Sequence, residues 1–421
     1  MYNQLDIFSM NCEQFKITKP IRLIECFAGY GSQALSLKYL GVPFEHHRIC
    51  EWAVKSIQAY KDMHKTDDNT DYSKDMSLDS VVDYLYTKGI SSNYNEPMKR
   101  EQIARLGQKA RTIYNNIKAT NNLVSVCNTK GEDLAITDTD KFTYLLTYSF
   151  PCQDLSMAGT RKGMAKDSGT RSGLLWEVER ILSECEERPQ VLLMENVPEV
   201  IGEKNIKHFA DWIKRLDEWG YKSKWCVMNA TEFGVPQNRK RCFMVSVLGD
   251  YFYTFPTPTR CTLRLKDILE PKVDEKYYLS NETLKRIASW NAQQDPLKDI
   301  DKEKAISPCI TARGAGEEHS GMILINEDAI QVVGNYSPKD RVYSTESVAM
   351  CHCASIPQGS YNYLENERIR KLTPKECFRL MGVSDADFDK IAKNQSDSSL
   401  YHLAGDSIVT NCLMAIFKEM L

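Results

Sequence analysis

Ile21-Arg22-Leu23-Ile24-Glu25-Cys26-Phe27-Ala28-Gly29-Tyr30-Gly31 reads as a short apolar strand running straight into a glycine turn, and residues 32–40 continue at helical spacing. Gly29 and Gly31 let the backbone turn tightly and approach a ligand at a helix N-terminus. Working outward, strand-like runs recur at 48–50, 144–149, 191–194, 224–228 and 242–248, with helix-like stretches at 173–185 and 205–219. Strands alternating with helices predict an α/β fold, a parallel sheet covered by helices. Two segments break the alternation: 62–130, polar and helical, and 251–367, richer in Pro, Gly, Ser and Asn. Helical spacing returns at 369–381 and 411–421. The expected organisation is a first domain over 1–250 with an insertion at 62–130, a smaller mixed domain over 251–367, and a segment 368–421 returning to the first.

The chain has 421 residues, 26% charged and 42% apolar, an ordinary globular composition that excludes disordered, collagen-like and coiled-coil proteins. At about 100–200 residues per domain, two or three domains are expected. No apolar run approaches the roughly 18–20 residues of a membrane span, and residues 1–10 lack the pattern of a signal peptide. The chain therefore reads as soluble and cytoplasmic, with no membrane partner. Its 14 cysteines are scattered, as expected of free thiols and apolar fillers. Cys351-His352-Cys353 has no second ligand pair at zinc spacing, so no metal is expected. Net charge is −3, which does not announce a nucleic-acid binder. Locally, six basic residues (Lys99, Arg100, Arg105, Lys109, Arg111, Lys118) stand against two acids over 96–118.

Four blocks carry chemistry. The first is the glycine turn, with Glu51 lying 20 residues beyond Gly31, where an acid binds ribose hydroxyls in nucleotide sites, and Trp52 beside it offering a flat face for adenine. The second is Ser149-Phe150-Pro151-Cys152-Gln153 after an apolar strand, at the carboxyl end where open α/β sheets bind ligands. A thiol there becomes a nucleophile if its thiolate is favoured, and Arg161, Lys162 and Lys166 lie nearby in sequence. The third is Glu195-Asn196-Val197, closing the strand at 191–194, where a carboxyl is placed to hand a hydrogen bond to a ring nitrogen. The fourth is Gln237-Asn238-Arg239-Lys240-Arg241. In extended chain Gln237, Arg239 and Arg241 share one face, presenting two guanidinium forks to a carboxylate, a phosphate or a base carbonyl.

In this order, F-A-G-x-G, P-C-Q, E-N-V and Q-x-R-x-R, the blocks resemble those of the S-adenosylmethionine-dependent cytosine-C5 DNA methyltransferases of bacterial and phage type. Arg370 to Gly382 is similar to the family's ninth block. Gly405-Asp406-Ser407 lies where the tenth usually reads G-N-S, so Asp406 departs from the pattern. The resemblance covers about residues 21–60, 130–250 and 368–421. It implies a Rossmann-like catalytic domain with a smaller, mixed target-recognition domain at 251–367. It further implies that Phe27, Gly29, Tyr30 and Gly31 wrap the methionine part of the cofactor, Glu51 binds its ribose and Trp52 its adenine. Asp133 and Leu134 would contact the adenine amino group, and Asp406 and Ser407 would complete the cofactor site. Cys152 would be the nucleophile, Glu195 would hold N3 and the exocyclic amine of the cytosine, and Arg239 and Arg241 would steady Cys152 and the base. Gln153, Ser156, Arg171, Gln237, Thr311 and Arg313 would contact DNA, Arg171 at a phosphate.

The implied activity is methyl transfer from S-adenosylmethionine to C5 of a cytosine flipped out of duplex DNA, leaving S-adenosylhomocysteine. The enzyme would act as a monomer, alone or beside a cognate restriction endonuclease. Residues 251–367 hold 13 Lys and Arg against 17 Asp and Glu, net −4, so phosphate attraction must come mostly from elsewhere. Two alternatives compete. One is a tRNA cytosine-C5 methyltransferase built on the same blocks. The other is a catalytically silent relative that binds DNA and regulates a partner.

Overall fold

The computed structural model describes residues 12–151, 155, 163–166, 171–280 and 368–421, with short strands between 325 and 365. Five runs build the centre: β1 (Ile21–Cys26), β2 (Phe44–Cys50), β3 (Thr143–Tyr148), β4 (Val191–Asn196) and β5 (Tyr221–Asn229), joined by β6 (Lys240–Leu248). They form one six-stranded sheet in the order β2-β1-β3-β4-β6-β5. β3 and β4 are buried at every position, which explains the apolar runs Tyr144-Leu145-Leu146 and Val191-Leu192-Leu193-Met194 within them: helices cover both faces of such a sheet.

Pairing is parallel from β2 through β4. β6 corrects the all-parallel expectation, since it lies antiparallel to β4, with Glu195 opposite Phe243 and Asn196 opposite Cys242. The physical reason is the connection. A parallel neighbour requires a long crossover, usually a helix, whereas only residues 230–239 separate β5 from β6.

Helices α1 (Ser32–Tyr39), α2 (Val54–His64), α6 (Leu175–Glu184) and α7 (Ile206–Glu218) flank these strands in sequence. Helix α7 buries Phe209, Trp212 and Leu216, one stripe at helical spacing. Trp212 donates its indole N–H to the Tyr148 hydroxyl at 2.9 Å. The insertion forms α3 (Leu78–Lys88), α4 (Arg100–Ala104) and α5 (Gln108–Ala119) around its own apolar cluster, including Val81, Val82, Leu85, Ile103, Ile113 and Ile117.

The chain divides into two compact units. The first comprises Met1–Met228, Lys240–Thr257 and Cys412–Leu421, and the second Asn229–Arg239 and Pro258–Asn411. The boundaries differ from the expected ones: residues 368–411 sit with the second unit, and only the last ten residues rejoin the first. The second unit holds a mixed five-stranded sheet, ending in the antiparallel pair Asn362–Glu365 with Arg368–Lys371. Residues 369–371 are thus strand rather than helix. The helix starts only at α8 (Pro374–Arg379), because the residue before a proline disfavours helical backbone and Thr373 caps the N-terminus instead.

The stretch Asp397–Lys418 is long and apolar enough to cross a membrane by length and composition alone, against the expectation from the sequence, but 72% of its most apolar 18-residue window is buried inside the protein. After α9 (Asp385–Ala392) it comprises two helices, α10 (Asp397–Asp406) and α11 (Thr410–Lys418), as expected of core rather than a span.

Candidate active site

The glycine turn follows the end of β1. Phe27, Gly29 and Gly31 all take positive φ, 61°, 57° and 80°. At Gly31 only glycine fits: an added Cβ would stand 2.4 Å from His64 Nε2 and 2.7 Å from Tyr60 Cε2. Gly31→Ala is expected to cost about 2–4 kcal/mol, from left-handed strain plus overpacking, read as a lower urea midpoint at unchanged m-value. A midpoint within error of the unsubstituted protein would refute this reading of the turn.

Glu51 locks the turn to the end of β2. One carboxylate oxygen accepts the Gly29 N–H at 2.9 Å and the other the Ala53 N–H at 2.8 Å. Its backbone is gripped by Asn122, whose amide accepts from Glu51 N–H at 3.1 Å and donates to Glu51 C=O at 2.9 Å. Trp52 is half-buried against the insertion cluster. Asp133 and Leu134 lie in the 3-10 turn Gly131–Leu134. The Asp133 carboxylate accepts the Lys130 N–H at 2.8 Å, while Leu134 is fully buried and its carbonyl faces His47 Nε2 at 2.9 Å.

Under the turn lies a network that motif reading did not find. His64 Nε2 lies 2.9 Å from the Tyr30 carbonyl and 3.2 Å from that of Gly31, and a carbonyl only accepts, so Nε2 carries the hydrogen. Burial pushes this imidazole down to about 3, which keeps it neutral. Tyr60 donates to the Glu25 carboxylate at 2.5 Å, and burial raises that carboxyl to about 7. No local pattern marks these residues, because α2 and β1 meet only in the fold.

The second cluster forms at the carboxyl ends of β3 and β4. Glu195, 6% exposed, accepts from the Ser149 hydroxyl at 2.5 Å and pairs with the Arg241 guanidinium at 3.1 Å. Asn196 donates to the Phe150 carbonyl at 2.9 Å, and Ser172 donates to the Pro151 carbonyl at 2.7 Å. The chain leading to Cys152 is therefore held at three consecutive residues, by partners that a reading of the P-C-Q block alone does not supply. Cys152, Gln153 and Ser156 lie outside the described residues, as do Thr311, Arg313 and Cys351-His352-Cys353.

The two arginines of the fourth block have separate tasks. Arg241 opens β6 and holds Glu195, whereas Arg239 is 3% exposed within the second unit and donates to the carbonyls of Gly405 and Ser407 at 2.9 and 2.7 Å. Gln237 is fully buried and donates to the Leu380 carbonyl at 2.7 Å. Asp406 faces His402 Nε2 at 3.0 Å one turn earlier on α10, and the Ser407 hydroxyl donates to the Leu403 carbonyl at 2.5 Å. Arg171 donates to the Asn95 side chain at 3.0 Å and to the Tyr94 carbonyl. Half of the basic stretch is used within the protein. Arg100 pairs with Asp83 and Asp79, Arg111 donates to the Ser73 and Met76 carbonyls, and Lys118 lies over the Tyr84 ring. Lys99, Arg105 and Lys109 are exposed. Among the described residues no group of three His, Cys, Asp or Glu could hold a metal ion.

Residues 103–421 match the model of the C-5 cytosine-specific DNA methylase family. The chain is 34% identical to the type II methyltransferase M2.ScrFI of Lactococcus lactis subsp. cremoris over 95% of this chain and 99% of that one. It is 30% identical to the orphan methyltransferase M.SssI of Spiroplasma monobiae over 96% and 98%. The fold is similar to that of the S. pombe Dnmt2 methyltransferase, with a TM-score of 0.57 at 14% identity, covering 95% of this chain and 98% of the other. The chain belongs to the C-5 cytosine-specific DNA methylase family and is a DNA cytosine-5 methyltransferase.

Proposed function

We propose that the chain binds S-adenosylmethionine at the glycine turn and methylates a cytosine flipped out of a specific duplex site, through a covalent adduct with Cys152. The observation that carries this reading is the Ser149–Glu195–Arg241 cluster, built where the chain enters the P-C-Q block. The residues of the turn suit the cofactor. Glu51 is a buried carboxylate at the end of β2, beside the turn whose Gly29 N–H it accepts, a group of the kind that suits vicinal ribose hydroxyls. A Cβ placed on Gly29 would meet nothing within 4 Å, so there is room for a ligand against the backbone. Phe27, Tyr30 and Gly31 would shape the same turn, with Trp52 and Asp133 toward adenine.

When bound, the cofactor supplies the electrophilic methyl that C5 takes up. The Cys152 thiolate adds to C6 of the cytosine, and the displaced electron pair makes C5 nucleophilic. Glu195 accepts from the exocyclic amine and, through an acid proton, donates to N3 as charge builds there, and Arg241 holds the carboxyl group in place. Loss of the C5 proton then lets the sulfur–C6 bond break and returns the thiolate. Arg239 is committed to the carbonyls of Gly405 and Ser407 within the second unit. The relatives' names, type II and orphan, suit a DNA-modifying enzyme with or without a companion nuclease; the proposal takes the chain to act in the cytoplasm as a monomer.

The test is transfer of labelled methyl from S-adenosylmethionine to mixed-sequence duplex DNA and to bulk tRNA, with nucleoside analysis for 5-methylcytosine. Label in duplex DNA alone is expected; label in tRNA alone or in neither overturns the reading. Glu51→Ala should raise the Kd for S-adenosylmethionine about tenfold to a hundredfold, the loss of hydrogen bonds to a charged acceptor. An unchanged Kd in isothermal titration would remove Glu51 from the ribose.

A further inference from the structure

The insertion between α2 and β3 carries a loop at 91–98 that joins two parts of the proposed site. At one end Ser91 makes a parallel bridge with Ala53: Ser91 N–H donates to the Trp52 carbonyl and Val54 N–H to the Ser91 carbonyl, each at 2.8 Å. This fastens the loop to the segment immediately after Glu51. At the other end the Tyr94 carbonyl and the Asn95 side chain hold Arg171. The next residue, Ser172, holds the Pro151 carbonyl, the last peptide oxygen before Cys152.

The loop between these ends is stiff by construction. The Asn93 side chain accepts from the N–H groups of Asn95 and Glu96 at 2.9 and 3.2 Å, and Ser91 donates its hydroxyl to the Glu96 carbonyl at 2.7 Å. Tyr94 sits at φ 63°, a left-handed conformation that a bulky aromatic rarely adopts, so the surrounding contacts over-determine it. Its hydroxyl reaches back to Ser56 on α2 at 3.4 Å. Strain of this kind, set where two functional segments are bridged, is typical of positioning elements.

We propose that the 91–98 loop fixes the chain entering the nucleophile block relative to the cofactor-binding segment, with Asn95 as the positioning residue acting through Arg171 and Ser172. The inference rests on the reading of Cys152 and Glu51 given above. It assigns the insertion a task other than phosphate contact, and it places Arg171 in a protein-internal bond when DNA is absent. Misplacement of reacting groups by about 1 Å costs on the order of a hundredfold in rate, so a tie this direct should register in kcat.

The experiment compares Asn95→Ala and Asn95→Asp in the full chain. Asn95→Ala is expected to lower kcat for methyl transfer about tenfold to a hundredfold, while the Kd for S-adenosylhomocysteine without DNA stays within about twofold. Asn95→Asp keeps an acceptor for Arg171 and should restore kcat to within about threefold. Amide hydrogen exchange gives a readout that needs no turnover: in Asn95→Ala, exchange should speed up at 171–174 and remain unchanged in β4. Unchanged exchange at 171–174 overturns the tie, as does an unchanged kcat in an active enzyme. Equal loss of kcat, cofactor affinity and melting temperature, with no rescue by Asn95→Asp, overturns it too. If the unsubstituted chain transferred no methyl, the catalytic reading would fall while hydrogen exchange still decided whether the tie exists.

Discussion

Cys152→Ala should abolish methyl transfer to duplex DNA, a loss on the order of 10⁴-fold or more, with the Kd for S-adenosylmethionine unchanged within about twofold. The split follows from the chemistry. C5 of cytosine is a poor nucleophile until a thiolate adds at C6, and no other group in the P-C-Q block can make that addition. In the function proposed above, cofactor binding depends instead on the glycine turn and Glu51, which follow β1 and β2. Glu195→Gln should lose less, about 10²–10⁴-fold, because it removes one hydrogen-bonding contribution and leaves covalent addition possible. Labelled-methyl transfer at saturating DNA separates the two. Turnover by Cys152→Ala above about one per cent of the unsubstituted rate would remove it as the nucleophile.

The largest expected effect on stability lies in the second unit. Arg370 and Glu376 form a two-bond fork at 2.8 and 2.9 Å, with side chains 1% and 0% exposed. Glu376 also accepts the N–H groups of Thr373 at 2.7 Å and Glu270 at 2.8 Å, so one carboxylate ties strand, helix cap and the 3-10 turn Leu265–Ile268 region. Arg370→Met leaves that carboxylate buried without its counter-charge and should cost about 3–5 kcal/mol. Adding Glu376→Gln removes the orphaned charge and keeps one acceptor oxygen, for the N–H of either Thr373 or Glu270. It should recover at least about 1 kcal/mol of the loss, since uncharged groups are cheaper to bury. Urea unfolding with hydrogen exchange at 368–380 measures both. A loss under about 1 kcal/mol for Arg370→Met would mean that the pair contributes little beyond a packed apolar contact.

This pair also shows why residues 370–382 read as a motif without showing their task. The Thr373-Pro374-Lys375-Glu376 start is a capping box visible in sequence, and its helix begins where that pattern says. That Glu376 spends both oxygens on Arg370 as well depends on the antiparallel return of Arg368–Lys371 along Asn362–Glu365, a long-range closure.

The same division runs through the candidate site. The sequence by itself determined the strand–turn–helix at 21–39, since apolar runs, positive-φ glycines and helical spacing are local properties. It also placed Glu51, the approach to Cys152, and Glu195 at carboxyl ends of successive strands, because a turn after a buried strand of a parallel sheet emerges there. Only the tertiary structure decided that β6 runs antiparallel, that Arg239 and Arg241 part company, that His64 fills the space Gly31 leaves, and that Arg171 meets Asn95. Each of those joins groups 33 to 168 residues apart in the chain or follows from which strand lies beside which. A hydrogen bond is satisfied by whatever partner the closed chain brings within reach, and no local periodicity encodes that choice.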